Sequence, residues 1–317
     1  CHADTLKGII IVSAQPTGGT LSSPEICIGD PAVLTLTGNT GIIDHWEVSY
    51  DDFATTPGTT IPGIGSSQTI SDIDQSASYR VYSKADGSIC PMAFSDGGVV
   101  KINNLWEGKY TNDWSNPVNW SNGQLPSSAN CLGTVTIPKG ITYDPTLSTT
   151  ASVKNLNITA NGHLIVSPGK LQIAGTVNNL GILDATNGTV EFNGSAAQGI
   201  KGSDFEHNTI RNLVVSNAIA LNVGNIGVDT LKISGNLLFG SANGKLNTGN
   251  NVTLLSNAAT TANVGVMSSG NIITGNVTVE RYINIGTNPG QHGKAWEFLA
   301  TPTSGQTVKQ SWMEGDV

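Results

Sequence analysis

The residues of this chain that could perform acid–base chemistry are the carboxylates between Asp144 and Glu280. Hydrolysis of a glycosidic bond requires two carboxyl groups at a fixed separation, so their spacing is informative. Most of them are spread thinly along the sequence, at Asp144, Asp184, Glu191, Asp229 and Glu280. Only Asp204 and Glu206 lie close together, with His207 adjacent, and this group could bind a cation or transfer a proton. The Gly and Asn residues that surround it favour a solvated loop instead.

Metal ligands and catalytic motifs give no stronger signal. The five His residues are scattered at positions 2, 45, 163, 207 and 292, without the spacing of a metal site. No Gly-x-Ser-x-Gly elbow and no phosphate-binding loop occurs in the sequence. Asp51 and Asp52 could hold a calcium ion in a loop, but a plain turn is the preferred interpretation. Arg211 is expected at an outward-facing position of its strand. The sequence therefore predicts no catalytic residue, no metal site and no cofactor.

The overall charge narrows the range of partners. The formal net charge is −8 and the pI is near 5.0, whereas a phosphate-backbone partner needs a basic face. The longest apolar run, from Gly8 to Val12, is far shorter than the roughly 18 residues of a membrane helix. We therefore expect no nucleic-acid partner and no membrane insertion of this segment.

The elements that must position these residues are short strands. One pattern, a β-branched residue, two polar residues, Leu, a polar and an aliphatic residue, occurs three times. Its copies are Val153–Ile158, Ile210–Val215 and Val228–Ile233. Further short strand-like runs, separated by Gly and Asn, lie at His163–Val166, Leu171–Ile173, Thr189–Phe192 and Asn251–Leu255. Short strands repeated in this way predict a β-solenoid, which we place at residues 139–283.

Residues 15–102 have the rhythm of a small immunoglobulin-like β-sandwich, with Trp46 as its natural core residue. In such a sandwich the first edge strand often runs parallel beside the last one. Cys27 and Cys90 precede these two strands, so we predict a Cys27–Cys90 disulfide, with two buried free thiols as the alternative. Cys131 could pair with Cys1 or remain a buried, unpaired residue, and we favour the unpaired state.

The two ends of the chain suggest that it is a piece of something longer. Cys1 could be the lipid-bearing first residue of a lipoprotein, but a strand-like run follows it almost at once. Cys1 and its strand also align with Cys90 and the strand after it, so we interpret residues 1–14 as the last strand of a preceding repeat. Residues 284–317, with Trp296 and Trp312, are interpreted as the truncated start of a further β domain.

Several segments resemble large secreted cell-surface proteins of Bacteroidota. Their immunoglobulin-like repeats are similar to Cys27–Leu36, Trp46–Asp51, Tyr79–Val81 and Cys90. The entry motif of their solenoid regions is similar to Trp106–Gly108, Asp113–Gly123, Pro126 and Val135–Pro138. Near the end of the chain, two further segments are similar in sequence to these proteins: Asn276–Tyr282 and Trp296–Pro302. The resemblance implies an all-β chain in which the sandwich is followed by a right-handed parallel β-helix.

In this arrangement residues 103–138 form a Trp-rich cap. The first turn of a solenoid would otherwise expose its edge and its aliphatic stack. Trp106, Trp114 and Trp120 supply enough apolar area to cover that end. The alternative is that these rings are platforms for sugar stacking, but closely spaced Trp residues are more often core.

The same resemblance implies a function. It suggests a non-catalytic structural or adhesive segment, on the extracellular surface of a Gram-negative bacterium, with a role in adhesion or gliding. The expected partners are the type IX secretion machinery during export, and surface glycans or other cells afterwards. The alternatives are a carbohydrate-active enzyme of the β-helix type, either a lyase or a hydrolase, and a glycan-binding module without catalysis.

Overall fold

The computed structural model describes residues 14–54, 57–86, 90–224 and 229–282. The chain is all-β, as predicted, with 46% strand and 5% helix, and it contains a parallel β-solenoid of about 6 turns. Almost all of the predicted strand at 1–14 lies outside the described residues, as does the whole predicted domain at 284–317. How the chain divides into domains stays a prediction.

In the described residues, the N-terminal β-region contains nine strands in two sheets. The strands are β1 (Thr20–Leu21), β2 (Glu25–Ile26), β3 (Ala32–Thr37), β4 (Ile42–Ser49), β5 (Thr59–Ile61), β6 (Ser67–Ile70), β7 (Ala77–Lys84), β8 (Ala93–Phe94) and β9 (Gly98–Ile102). One sheet has the order β1-β3-β6, and the other has the order β2-β9-β7-β4-β5 with β8 on β7. All pairs are antiparallel except β2 and β9, which run parallel as expected.

Alternating side chains explain why these two sheets pack together. In β3, Ala32 and Leu34 are buried while Val33 between them is exposed. Trp46 of β4 is fully buried, and its indole Nε1 donates to Gly65 O at 3.2 Å. The inward side chains of both sheets form one hydrophobic cluster, which also includes Leu105 beyond β9. Burial of each large side chain contributes about 1.5–3 kcal/mol.

Within the part of the chain that the structure describes, the solenoid contains seventeen strands, which pair in parallel with strands of the turns above and below. They are β10 (Thr134–Ile137), β11 (Thr146–Leu147), β12 (Thr150–Val153), β13 (Asn155–Ile158), β14 (His163–Val166), β15 (Lys170–Ile173), β16 (Val177–Asn179), β17 (Ile182–Phe192), β18 (Gln198–Ile200), β19 (Thr209–Val215), β20 (Leu221–Val223), β21 (Leu231–Phe239), β22 (Lys245–Asn247), β23 (Val252–Leu254), β24 (Asn263–Val264), β25 (Ile272–Thr274) and β26 (Thr278–Val279). Short 3-10 turns lie at Pro117–Asn119, Cys131–Gly133, Gly202–Asp204 and Glu206–Asn208.

These strands form three parallel sheets along the solenoid. One has the order β10-β13-β16, and another has the order β18-β20-β22-β25. The largest runs β11-β14-β17-β19-β21-β23-β26 and also takes in β12, β15 and β24. The predicted runs at 163–166, 171–173, 189–192 and 251–255 all contain or lie within these strands, which confirms the solenoid.

A single aliphatic stack runs through the interior. In register, Leu171 of β15 lies beside Val190 of β17, which lies beside Leu213 of β19 and then Leu237 of β21. All four are fully buried. The next inward position repeats this arrangement, with Phe192 at its centre. Each turn therefore packs on its neighbours, which is how a solenoid obtains a core.

Asn side chains link successive turns on the outer faces. In each linked pair, the Nδ2 of one Asn donates to the Oδ1 of the Asn on the preceding turn, 21 to 25 residues earlier. The pairs are Asn157–Asn178, Asn212–Asn236 and Asn222–Asn247. Buried Asn residues at the corners bond the backbone instead, as Asn217 does with Ala196 O at 2.7 Å. These Asn–Asn hydrogen bonds thus lie outside the core.

Candidate functional site

The chain passes from the N-terminal β-region into the solenoid as extended backbone. Beyond β9, Asn103 N still donates to Ile26 O at 2.8 Å, in line with the pairing of β9 and β2. Trp106 N then donates to Thr136 O at 3.1 Å, and Thr136 N donates to Asn104 O at 2.9 Å. Residues 104–106 therefore lie parallel beside β10, and the connection between the two regions is held by backbone hydrogen bonds on both sides.

A change of hydrophobic core occurs within this connection. Leu105 is fully buried in the cluster of the N-terminal β-region, whereas Trp106 is fully buried in the cluster of the solenoid. Adjacent side chains of an extended segment point to opposite sides. Two adjacent residues of one backbone segment are therefore buried in two different cores. This arrangement resists bending of the N-terminal β-region relative to the solenoid.

A disulfide joins the two regions at a second place. Cys27 is bonded to Cys131, with the Cα atoms 5.3 Å apart and a sequence separation of 104. That Cα separation is within the usual range of about 4.4–6.8 Å for disulfides. The predicted Cys27–Cys90 bridge is therefore wrong, and so is the prediction that Cys131 is unpaired.

The strand order explains this correction. β2 does lie beside β9, and Cys27 follows the pairing of Ile26 with Ile102, at the end nearest the solenoid. Cys90, which is half-buried, precedes β8 rather than β9, and β8 pairs with the opposite end of β7, at Tyr82 and Ser83. The eight residues of β7 separate these two ends of the sheet.

The loop that carries Cys131 is held from inside by a buried amide. Asn104 is 3% exposed, and its Nδ2 donates to Ser127 O at 2.9 Å and to Asn130 O at 3.1 Å. Its Oδ1 accepts from Ser127 N at 2.9 Å. Cys131 and Leu132 then adopt left-handed backbone, with φ of 49° and 53°. Three hydrogen bonds from one buried side chain therefore position the cysteine for its bridge.

Serine hydroxyls complete the contact between the two regions. Ser121 Oγ accepts from Ile102 N at 2.8 Å and is hydrogen-bonded to Ser76 Oγ of the N-terminal β-region. Asn122 Nδ2 donates to Asn103 Oδ1 at 2.7 Å. Polar contacts, the extended connection and the disulfide together form what we call the junction.

The Trp residues of the predicted cap lie together in the solenoid core. The rings of Trp114 and Trp120 are 4.7 Å apart and nearly perpendicular, and Trp106 lies 5.1 Å from Trp120 in a similar orientation. Trp106 Nε1 donates to Tyr143 O at 2.8 Å, which satisfies its polar group. All three rings are buried, so they are not available as platforms for sugar stacking.

A cleft of about 460 Å³ lies along the junction. Tyr50, 62% exposed, lines it from the N-terminal β-region, and Glu107 and Lys109 line it from the connecting segment. Lys109 Nζ lies 2.8 Å from Glu107 Oε2. The two charges satisfy each other, so the cleft has no excess charge at this point.

Glu191 is a buried acid of the solenoid and belongs to a hydrogen-bond network. It is 7% exposed and accepts from Gln172 Nε2 at 2.8 Å, from Ser216 Oγ and from Lys170 Nζ. Burial alone would raise the pKa of Glu191, but the bonds from Lys170, Ser216 and Gln172 outweigh it and lower the pKa. Glu191 is therefore held ionised and cannot serve as a proton donor near neutral pH.

Asp204 has the opposite electrostatic environment. It is 5% exposed, and burial raises its pKa, although the hydrogen bond from Lys201 N to Oδ2 at 2.9 Å partly offsets that effect. The expected solvated loop is wrong at this point, because Asp204 and Phe205 are both buried. They form a capped 3-10 turn, while His207 stays exposed.

The described residues contain no group of three or more His, Cys, Asp or Glu that could hold a metal ion. In the same residues, no helix is long and apolar enough to cross a membrane.

The residues that sequence reasoning missed are those of the junction. Asn104, Ser121 and Cys131 carry it. Ser121 lies within the segment Asp113–Gly123, but no motif marks Asn104 or Cys131. One signal was available: Leu105 and Trp106 follow β9 without an intervening Gly or Pro, which is unusual for a flexible linker.

Comparison with known proteins identifies no match. No protein-family model, no curated protein and no solved structure matches this chain.

Proposed function

We propose that this chain is a non-catalytic structural segment of a large extracellular cell-surface protein, in which it acts as a stiff spacer. The observation that carries the proposal is the junction. Two covalent connections join the N-terminal β-region to the solenoid. One is the extended backbone segment that is buried in both cores, and the other is the disulfide. A flexible linker would provide only one connection.

The disulfide also has a mechanical consequence. A pulling force applied at the two ends of the chain passes directly from Cys27 to Cys131. Residues 28–130, which include most of the N-terminal β-region and the Trp residues of the cap, are thereby excluded from the covalent path. They cannot be stretched out while the bridge is intact, which suits a protein that carries load between a cell and a surface.

The finer fold assignment belongs to this proposal. We assign the N-terminal β-region to the immunoglobulin-like sandwiches and the solenoid to the right-handed parallel β-helices. The parallel pairing of β2 with β9 and the buried Trp46 on a central strand support the first assignment. The general preference for right-handed crossovers supports the second.

The resemblance to secreted Bacteroidota proteins supplies the setting. It favours an extracellular location on a Gram-negative cell, export through the type IX secretion machinery, and a part in adhesion or gliding. The disulfide is in keeping with an oxidising compartment. The roles of Glu191 and Asp204 in the fold support a non-catalytic assignment over a β-helix lyase or hydrolase.

Single-molecule force spectroscopy on the whole chain tests the mechanical role. Under oxidising conditions, unfolding should release no extension from residues 28–130. After reduction, an additional contour length of about 35 nm should appear, from 104 residues at about 3.4 Å each. A Cys90→Ser variant is the matched control, because it removes a thiol but leaves the Cys27–Cys131 bridge in place.

Two outcomes would contradict the spacer role. The full extension could appear before reduction, or the N-terminal β-region could reorient freely about the solenoid in small-angle scattering. The enzyme alternative is tested separately by incubating the chain with acidic polysaccharides and measuring new reducing ends or unsaturated products.

A further inference from the structure

One corner of the solenoid changes length from turn to turn. Between the paired positions Ala185–Ile210 and Thr189–Asn212, β17 contributes residues 186–188 whereas β19 contributes only Arg211. On the next turn, β21 contributes residues 234–235 at the same corner. On the turn after that, β23 ends and β24 begins, with residues 255–262 between their paired positions.

These lengths create a notch in the outer surface. The two middle turns have short corners, while the corners on either side of them are longer and protrude. A cleft of about 340 Å³ lies between them, within the range of about 300–1,000 Å³ typical of ligand pockets. We call this cleft the corner groove. The residues that matter here are Thr186, Asn187, Arg211, Ser234, Asn236 and Thr261.

The walls of the corner groove are fixed by local hydrogen bonds. On the longer wall, Asn257 Oδ1 accepts from Thr260 N at 2.9 Å, and Ser256 Oγ is hydrogen-bonded to Thr261 Oγ1 at 2.8 Å. On the opposite wall, Thr186 Oγ1 donates to Asp184 Oδ1 at 2.6 Å. The groove is therefore preorganised, which lowers the entropy lost when a ligand binds.

Gly235 keeps the floor of the groove open. A Cβ atom at this position would lie 2.7 Å from Arg211 O and 3.1 Å from Arg211 Cγ. Any larger residue would displace the Arg211 backbone or its side chain. The middle turns can therefore approach each other closely only because this residue is Gly.

Among the described residues, Arg211 is the only charged one that lines the groove. Its side chain is exposed, and among the described residues it forms no ion pair with an acid. The other lining groups are hydroxyls, amides and the backbone of a Gly. A planar guanidinium binds a carboxylate or a sulfate through two parallel hydrogen bonds. The groove thus offers one anion site surrounded by neutral groups that both donate and accept.

We propose that the corner groove binds an acidic saccharide, with Arg211 holding its carboxylate or sulfate and the Thr, Ser and Asn side chains bonding its hydroxyls. A peptide would be recognised differently, through apolar side-chain pockets or by addition to a free strand edge. No apolar side chain lines the groove, and its strands are already paired on the turns above and below. This binding activity goes beyond the spacer role and does not depend on it.

Isothermal titration calorimetry of the whole chain tests this inference. The probes are a short oligogalacturonate, its neutral methyl ester, and a sulfated dextran oligosaccharide, so that the carboxylate, the uncharged sugar and the sulfate are compared. Arg211→Gln should weaken binding of the acidic probes about tenfold or more, because it removes hydrogen bonds to a charged group. Arg281→Gln, which removes an exposed Arg elsewhere in the described chain, is the matched control and should change affinity less than about twofold.

Two further variants locate the site. Arg211→Lys keeps the charge without the planar fork and should give an intermediate affinity. Asn263→Trp adds bulk at an exposed position of the wall and should weaken binding of all saccharides. Melting curves equal to that of the unmodified chain would establish that each variant is folded.

Several results would overturn the inference. They are no binding of either acidic probe, equal binding of the methyl ester, an equal loss in the Arg211 and Arg281 variants, or no effect of Asn263→Trp. Binding of only one of the two acidic probes, lost with Arg211, would support it and identify the anion. None of these results would affect the force experiment on the junction, so the two proposals fail separately.

Discussion

Replacing Cys27 by Ser should destabilise the N-terminal β-region far more than the solenoid. The bridge closes a stretch of 104 residues that contains nearly all strands of that region. The solenoid core, in contrast, is closed turn by turn through its own parallel strands and does not need the bridge for its topology. We therefore expect two thermal transitions in the variant, with only the first one shifted.

The magnitude follows from the length of the closed stretch. In the chain-entropy model, a loop of about this length contributes about 4.7 kcal/mol, and measured values are more often about 2–4 kcal/mol. A change of about 1 kcal/mol shifts the melting temperature of a region of this size by roughly 4–8 °C. The first transition of Cys27→Ser should therefore fall by roughly 8–32 °C.

Differential scanning calorimetry of Cys27→Ser, Cys131→Ser and the double variant measures this effect. The three should have the same melting temperature, since each lacks the same bond, and Cys90→Ser should keep the bridge and its stabilisation. Mass mapping without reduction should recover a Cys27–Cys131 crosslinked peptide. The reasoning is refuted if that peptide links Cys27 to Cys90, or if both transitions shift equally.

Three further predictions concern buried polar groups. Glu191→Gln should lower stability at neutral pH by about 2 kcal/mol, because Lys170 loses its partner. The pKa of Glu191 is lower in the folded state than its ordinary value of 4.5. The stabilisation by the Glu191 carboxylate is therefore present above pH 4.5 and is lost as the pH falls through the folded-state pKa. The difference in stability between the variant and the parent should accordingly shrink in acid. Asp204→Asn should raise stability at neutral pH, because the pKa of Asp204 is raised by burial and the amide oxygen can still accept from Lys201 N. For this group the sign is reversed, and the gain should disappear as the pH falls below the ordinary value of 3.8. Asn104→Ala should cost about 2–3 kcal/mol, because it removes three hydrogen bonds and leaves buried backbone groups without partners.

Chemical denaturation at several pH values checks these three variants, and each has a matched control. Glu280→Gln, Asp30→Asn and Asn112→Ala change exposed residues of the same types and should each alter stability by less than about 0.5 kcal/mol. A pH-independent effect of Glu191→Gln would contradict the electrostatic explanation. So would a loss of stability in Asp204→Asn at neutral pH.

The sequence pattern predicts which residues are buried in the solenoid better than it predicts their register. Leu156 and Leu213 occupy the same place in two copies of the repeated pattern, and both are buried. Leu156, however, pairs with Val135 and Val177 in the smallest sheet of the solenoid, whereas Leu213 pairs with Val190 and Leu237 in the largest. Strand alternation is the same on every face of a solenoid, so a short pattern cannot identify its face.

The junction could not be predicted because it depends on long-range placement. The parallel pairing of β2 with β9 was expected from the sequence, and it does occur. The partner of Cys27 depends instead on which loop reaches the end of that pair, and this is decided by Asn104 and the turn at Cys131. Residues far apart in sequence are in contact there, and local sequence propensities do not predict such long-range contacts.

The unequal corners of the solenoid imply that the loop at this corner can vary in length. Arg211 alone turns the corner on one rung, while residues 255–262 do so two rungs later, and the strands on either side keep their pairing. Because each rung packs only on its neighbours, loops of different length and composition can be exchanged at this corner without altering the framework. The solenoid is therefore a suitable scaffold for grafting new recognition loops, both for evolution and for protein engineering.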